Sequence, residues 1–138
     1  MKFKKCLSFD DVLLVPKMSQ ILSRSEIDIS CEIGKNIKLE LPIISSPMDT
    51  VTEENMTVAM DFQGGLGMIH RYNTIEGQCK IVENAISRGT SNIGAAIGVS
   101  GDYIERAQAL KSSGANILCI DIAHGHHSLM RHALSTLR

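Results

Sequence analysis

The chain has 138 residues, enough for one core, and carries 14 Lys and Arg against 15 Asp and Glu, a formal net charge of −1. That balance excludes a polyphosphate backbone or an anionic membrane surface as the main partner. Four scattered cysteines without a C-x-x-C pair, an N-terminus too poor in apolar residues for a signal peptide, and no apolar run near the roughly 20 residues of a bilayer span predict a cytoplasmic protein with reduced thiols.

Residues 1–40 read as an N-terminal extension. In it, FDDVLLVPK is expected to be an extended apolar segment ended by Pro16. SRSEIDISCEI alternates at Ile27, Ile29 and Cys31 as a half-buried strand does, packed against the floor of the domain formed by residues 41–138.

From residue 41 a unit repeats: an apolar run, a polar or glycine-bearing turn, then a segment of helical periodicity. The runs are LPIIS (41–45), GLGMI (65–69), NIGAAIGV (92–99) and NILCIDI (116–122), spaced as one strand, one helix and two short loops require. Thr50 to Glu53 reads as a capping box for a first helix facing inward through Met56, Ala59, Met60 and Gln63. Asn73 to Glu76 opens a second helix with Ile75, Cys79, Val82 and Ile86 on one stripe, stopped at Gly89. Asp102 to Glu105 opens a third, with Tyr103, Ala107 and Leu110 inward and Gly114 at C′. Ser128 caps a fourth, with Met130, Ala133, Leu134 and Leu137 inward. Strands apolar throughout, each followed by an amphipathic helix, predict an α/β fold with a parallel sheet, either a small open sheet or half of a (β/α)8 barrel.

Ligands of parallel α/β folds bind at strand carboxyl ends, so chemistry is sought at four junctions. These are Ser45 to Asp49, His70 to Asn73, Ser100 to Asp102 and Asp121 to His126. In the first, Pro47 forces the chain out of the sheet, and the serines with the next helix's amides suit a phosphate or serve only the backbone. In the second, GGLG precedes the apolar residues, so it is a helix stop and not a dinucleotide fingerprint. His70 there reads as a buried, hydrogen-bonded histidine, and Arg71 as a cation able to reach an anion. In the fourth, H-x-H raises a metal-dependent hydrolase, but no further ligands converge on it. Asp121, at a strand end, is placed to accept from a ribose diol.

Together and in this order, the junctions resemble the IMP dehydrogenase and GMP reductase family. The matching stretches are LSFDDVLLVPK (7–17), PIISSPMDTVTE (42–53), GGLGMIHRYNTIEGQ (64–78), GAAIGV (94–99) and DIAHGHH (121–127). The resemblance implies the N-terminal half of a (β/α)8 TIM barrel, residues 1–40 being the extension and 41–138 the half-barrel. It implies a tetrameric oxidoreductase that passes hydride between a purine nucleoside monophosphate and a nicotinamide cofactor, after a cysteine thiolate attacks the purine C2. By position, Ser46 and Met48 would lie against the nucleotide, Met48 beneath the base. Asp121 and Ala123, with Arg71 nearby, would line the nicotinamide ribose side.

SSPMD is closer to the dehydrogenase branch, which oxidises IMP to XMP with NAD, since reductases tend to carry asparagine where Pro47 stands. Only about fifteen residues separate Gln78 from Gly94, leaving no room for the tandem CBS module of most dehydrogenases, as in the GMP reductases that use NADPH and in a minority of dehydrogenases. The resemblance implies that the family's nucleophilic cysteine, on the loop after the sixth strand, would fall beyond Arg138. Its phosphate glycines, catalytic flap and monovalent-cation site likewise match nothing in this sequence. No catalytic residue is therefore assigned to Cys6, Cys31, Cys79 or Cys119, and the chain alone is expected to be inactive. A reading of a different class is a non-catalytic half-barrel that binds a nucleotide or assembles with a second copy.

Overall fold

Four short, almost wholly apolar strands can be buried on both faces only if something covers each face, and the computed structural model, which describes residues 3–138, shows what does. Ile44–Ser45 (β3), Leu66–Ile69 (β4), Ile93–Ile97 (β5) and Ile117–Ile120 (β6) form one parallel sheet in sequence order. The helices Glu54–Phe62 (α1), Ile75–Ser87 (α2), Tyr103–Ser113 (α3) and Ser128–Leu137 (α4) each follow a strand. Arg138 is the C-cap of α4. Four βα units in this order are the architecture of half a (β/α)8 barrel.

Parallel register puts Ile69, Ile93, Ala95 and Ile97 on the helix side. There they pack with Val58 of α1, Cys79, Val82 and Ala85 of α2, Tyr103, Ala107 and Leu110 of α3, and Ala133 of α4. The opposite face carries Leu66, Met68, Ile117 and Cys119, and it is covered by a two-stranded hairpin, Cys31–Gly34 (β1) and Ile37–Leu39 (β2), through Cys31 and Leu39. Two glycines set the spacing of these layers. A Cβ on Gly67 would lie 2.5 Å from the Thr57 Cα, so α1 sits directly on β4. A Cβ on Gly94 would lie 2.6 Å from the Met68 sulfur, so Met68 fills that space.

The structure corrects the N-terminal reading in several places. FDDVLLVPK is not an extended segment throughout: Phe9–Asp11 is a 3-10 turn, the chain is extended at Val12, and Leu13 and Leu14 are 96% and 98% exposed. Of the expected alternating strand only Cys31, Glu32 and Ile33 are in β1, and Ile27 and Ile29 stay exposed because the sole partner among the described residues, β2, has residues enough for Cys31–Gly34 alone. The start of the extension, Met1 and Lys2, lies outside the described residues.

The inward face of α1 is also not the expected one. Thr57 and Val58 are buried, whereas Met56, Ala59 and Gln63 are exposed, because contact over Gly67 rotates Thr57 to the sheet. Ile86 and Leu134, expected inward on α2 and α4, are exposed as well. The third helix follows its prediction, burying Tyr103, Ala107 and Leu110 and ending at Gly114 with φ 105°. No helix among the described residues is long and apolar enough to cross a membrane.

Candidate functional site at the carboxyl edge of the sheet

The first junction leaves β3 at Ser45 and turns twice before α1. The Met48 N–H donates to the Ser46 carbonyl at 2.8 Å, and the Val51 and Thr52 N–H groups donate to the Met48 carbonyl at 2.9 Å. Thr52, fully buried, closes the turn: its Oγ1 is 2.6 Å from the Ser46 carbonyl and 2.8 Å from Ser45 Oγ. A carbonyl only accepts, so the Thr52 proton goes to Ser46 and the Ser45 hydroxyl donates to Thr52. Ser45 is thereby committed to the backbone turn, while Ser46 and Met48 remain exposed on the rim. The expected capping box is absent; Glu53, not Thr50, is the N-cap of α1, without a side-chain cap bond. A groove of about 620 Å³ beside this turn carries Asp49, Glu53 and Glu54, a field that disfavours phosphate within the groove itself.

At the second junction His70 is 2% exposed, in keeping with the buried histidine read from the sequence. Its Nδ1 accepts from the Tyr72 N–H at 3.1 Å, so in the neutral ring the proton sits on Nε2, 3.2 Å from Glu53 Oε1. Arg71 runs along the strand ends: its guanidinium carbon is 5.7 Å from the centroid of the Tyr72 ring, and its Nη1 is 3.6 Å from where a Cβ on Gly98 would be. It ends at Asp121 after β6, where Nε donates to Oδ2 at 3.0 Å. Arg71 and Asp121 side chains are 37% and 30% exposed, so the ion pair is a partly solvated one worth up to about 1 kcal/mol. Among the described residues only Oδ2 of Asp121 has a donor, leaving Oδ1 for a hydroxyl.

The third junction is tied inward. Arg106 of α3 is 7% exposed; its Nε and Nη2 donate to Asp102 Oδ2 at 3.2 and 2.7 Å and its Nη1 to Gln78 Oε1 at 2.8 Å. Gln78 passes the bond on, its Nε2 donating to the Ala96 carbonyl of β5 at 2.9 Å. The Arg106 hydrogen bonds hold the Asp102 carboxyl below the usual carboxylate range. Sequence reading missed this chain of contacts; its legible part was the Asp102 and Arg106 spacing of four. It missed the Glu53 and His70 contact too, which joins residues 17 apart and has no local signature.

At the fourth junction Ala123 is exposed, as are His124, His126 and His127. His127 Nδ1 accepts from the Leu129 N–H at 3.1 Å, making His127, not Ser128, the N-cap of α4. No group of three or more His, Cys, Asp or Glu among the described residues is arranged to hold a metal ion. Cys119, two residues before Asp121, has its thiol pushed up by burial and then by the Asp121 charge, which makes it a poor nucleophile.

The structure thus brings Arg71 and Asp121 into contact on the rim that also carries Ser46, Met48 and Ala123. The family model for the IMP dehydrogenase / GMP reductase domain matches residues 6–138 of the chain. Inosine-5′-monophosphate dehydrogenase of Nitrosopumilus maritimus is 46% identical over 102 residues, which is 74% of this chain and 21% of the relative. That of Borreliella burgdorferi is 32% identical over 172 aligned positions, covering 89% of this chain and 42% of the relative. That of Bacillus subtilis is 52% identical over 80 residues, 58% of this chain and 16% of the relative. The chain therefore spans less than half the length of each of these proteins.

Proposed function

The chain belongs to the IMP dehydrogenase / GMP reductase family, and from that premise we propose that it is part of a purine nucleotide oxidoreductase, the part that presents a purine nucleoside monophosphate to a nicotinamide cofactor. The observation that carries this reading is the rim itself: the Ser46 to Met48 turn, Arg71 and Asp121 stand on one carboxyl edge of one parallel sheet. Ser46 Oγ, exposed and spared by Thr52, is available to the nucleotide. Met48, 50% exposed and anchored through its carbonyl, offers a polarizable side chain for the face of the base. Asp121, through Oδ1, accepts from the nicotinamide ribose diol, with Ala123 beside it leaving room and Arg71 fixing the carboxylate.

The donor set fits a nicotinamide cofactor, which when bound supplies hydride acceptance; the chain's own residues bind and orient. IMP with NAD is the proposed pair, giving XMP and NADH in the whole enzyme. The short α2 to β5 connection, residues 88–92, is the feature that keeps GMP with NADPH as the second reading. The chain by itself is proposed to bind without turnover, since its one cysteine on the parallel sheet, Cys119, has a raised thiol pKa. Assembly into a homo-oligomer is part of the proposal, and sedimentation tests it.

Calorimetric titration with IMP, GMP, NAD and NADPH tests the function directly, with NADH absorbance followed in parallel. Heat with IMP that is weakened in Met48→Ala supports the reading. Heat with none of the four ligands overturns it, and NADH production by the chain alone overturns the claim that it only binds.

A further inference from the structure

Arg71 stands between two held neighbours: His70 is buried, and Tyr72 is bonded by its backbone to His70. A guanidinium on a flexible stem loses about 2 kcal/mol of rotamer freedom when fixed, so something must define the direction in which it leaves the strand. Two contacts define it. The Tyr72 N–H donates to His70 Nδ1, which folds the backbone back on either side of Arg71. The His70 Nε2 proton is held by Glu53, the N-cap of α1, which ties that fold to the helix after the first junction. The His70 and Tyr72 rings lie 23° from parallel with centroids 6.1 Å apart, so the loop is packed as well as bonded.

We propose that His70 is a positioning residue: by accepting from Tyr72 through Nδ1 and donating to Glu53 through Nε2, it aims Arg71 across Gly98 at Asp121 and so prepares the diol-binding carboxylate. The ligand role of Asp121 rests on the function proposed above, whereas the aiming of Arg71 does not. The ring can do both jobs in one tautomer only. With the proton on Nδ1, two donors would face each other at Tyr72 and Glu53 would lose its partner. Burial of the ring keeps water from substituting for either bond.

Side-chain amides separate the two bonds. His70→Asn can offer an oxygen near the place of Nδ1, and His70→Gln can offer a donor near the place of Nε2. In the full 138-residue chain, the nitrogen NMR of the His70 ring is expected to show a bare Nδ1 and a protonated Nε2. The Arg71 Nε–H signal is expected to be sharp and protected. His70→Gln, which removes the acceptor for Tyr72, is expected to broaden that signal and to weaken nicotinamide mononucleotide binding about tenfold, and His70→Asn, which keeps that acceptor but loses the donor to Glu53, to have the smaller effect also expected of Glu53→Ala.

Glu53, whose side chain is 59% exposed, provides a variant that leaves the ring itself in place: Glu53→Ala is expected to broaden the Arg71 signal and, by leaving the buried Nε2–H without its acceptor, to lower the unfolding midpoint. A protonated Nδ1, or an Arg71 signal unchanged in both His70→Gln and Glu53→Ala, overturns the proposal. Should the signal move as expected while the wild-type chain takes no nicotinamide mononucleotide, the positioning role stands and the nicotinamide reading falls.

Discussion

Replacing Gly67 by Ala tests the packing that places the first junction. The new Cβ would lie 2.5 Å from the Thr57 Cα and 3.0 Å from the Thr57 Cβ and Oγ1. The nearest atom is backbone of α1, so no rotamer change relieves it and the helix must withdraw by about 1 Å to reach ordinary contact. Overpacking of this kind costs about 1–3 kcal/mol. Alanine in place of glycine within a strand returns about 0.5–1 kcal/mol of chain entropy, so the clash wins by about 1 kcal/mol at the middle of both ranges and by about 2.5 kcal/mol at most.

For a chain of this length that lowers Tm by roughly 3–8 °C, read by circular dichroism alongside urea unfolding. Withdrawal of α1 carries Glu53 away from His70, so the Arg71 Nε–H signal is expected to broaden together with the loss of stability. Unchanged stability would refute the reasoning. So would rescue by Thr57→Ala, since that change removes Oγ1 and Cγ2 but leaves the Cα that makes the contact.

Three further outcomes arise from the rim and its supports. Arg106→Met is expected to cost about 2 kcal/mol in urea unfolding, because the fully buried Gln78 loses the donor to Oε1 while Asp102, 47% exposed, returns to water. The lowered pKa of Asp102 gives stability that is complete above the ordinary carboxylate value near 4 and is lost as pH falls through the lowered one. Asp102→Asn should therefore flatten the acid limb of a stability profile, and an unaltered limb counts against the pair. At Gly98, alanine fits at 3.6 Å from Arg71 Nη1 but valine does not, so Gly98→Val should weaken nicotinamide mononucleotide binding and Gly98→Ala should not.

The repeat of strand and helix was legible because it is local: strands buried on both faces read as apolar runs, and α3 announced its own end with Gly114. The orientation of α1 was not, because it is set by the missing side chain at Gly67, ten residues after Thr57 in sequence, and not by helical periodicity. Segment 9–17 misled for a different reason. Its apolar residues look like core, yet burial requires a facing surface, and in the described residues Leu13 and Leu14 have none. The site divided in the same way. Arg71 and Asp121 were each readable as strand-end residues, but their contact spans 50 residues and depends on β4 and β6 flanking β5. The capping box at Thr50 failed because Thr52, one of its residues, is drawn into the turn by Ser45 and Ser46.

Burial separates the parts of the rim that can exchange partners from those that cannot. Asp121 and Asp102 are both carboxylates at strand-end junctions, both held by an arginine. Opening the Arg71 and Asp121 pair gives up no more than about 1 kcal/mol, because both groups already touch water. Freeing Asp102 would strand Arg106, 9% exposed at its side chain, against Gln78 with its charge unpaired, at a cost of about 3–5 kcal/mol if the burial were complete and less in proportion to its exposure. The fourth junction is therefore the one whose ion pair opens at little cost, while the third ties β5 to α3 through Gln78 and Arg106.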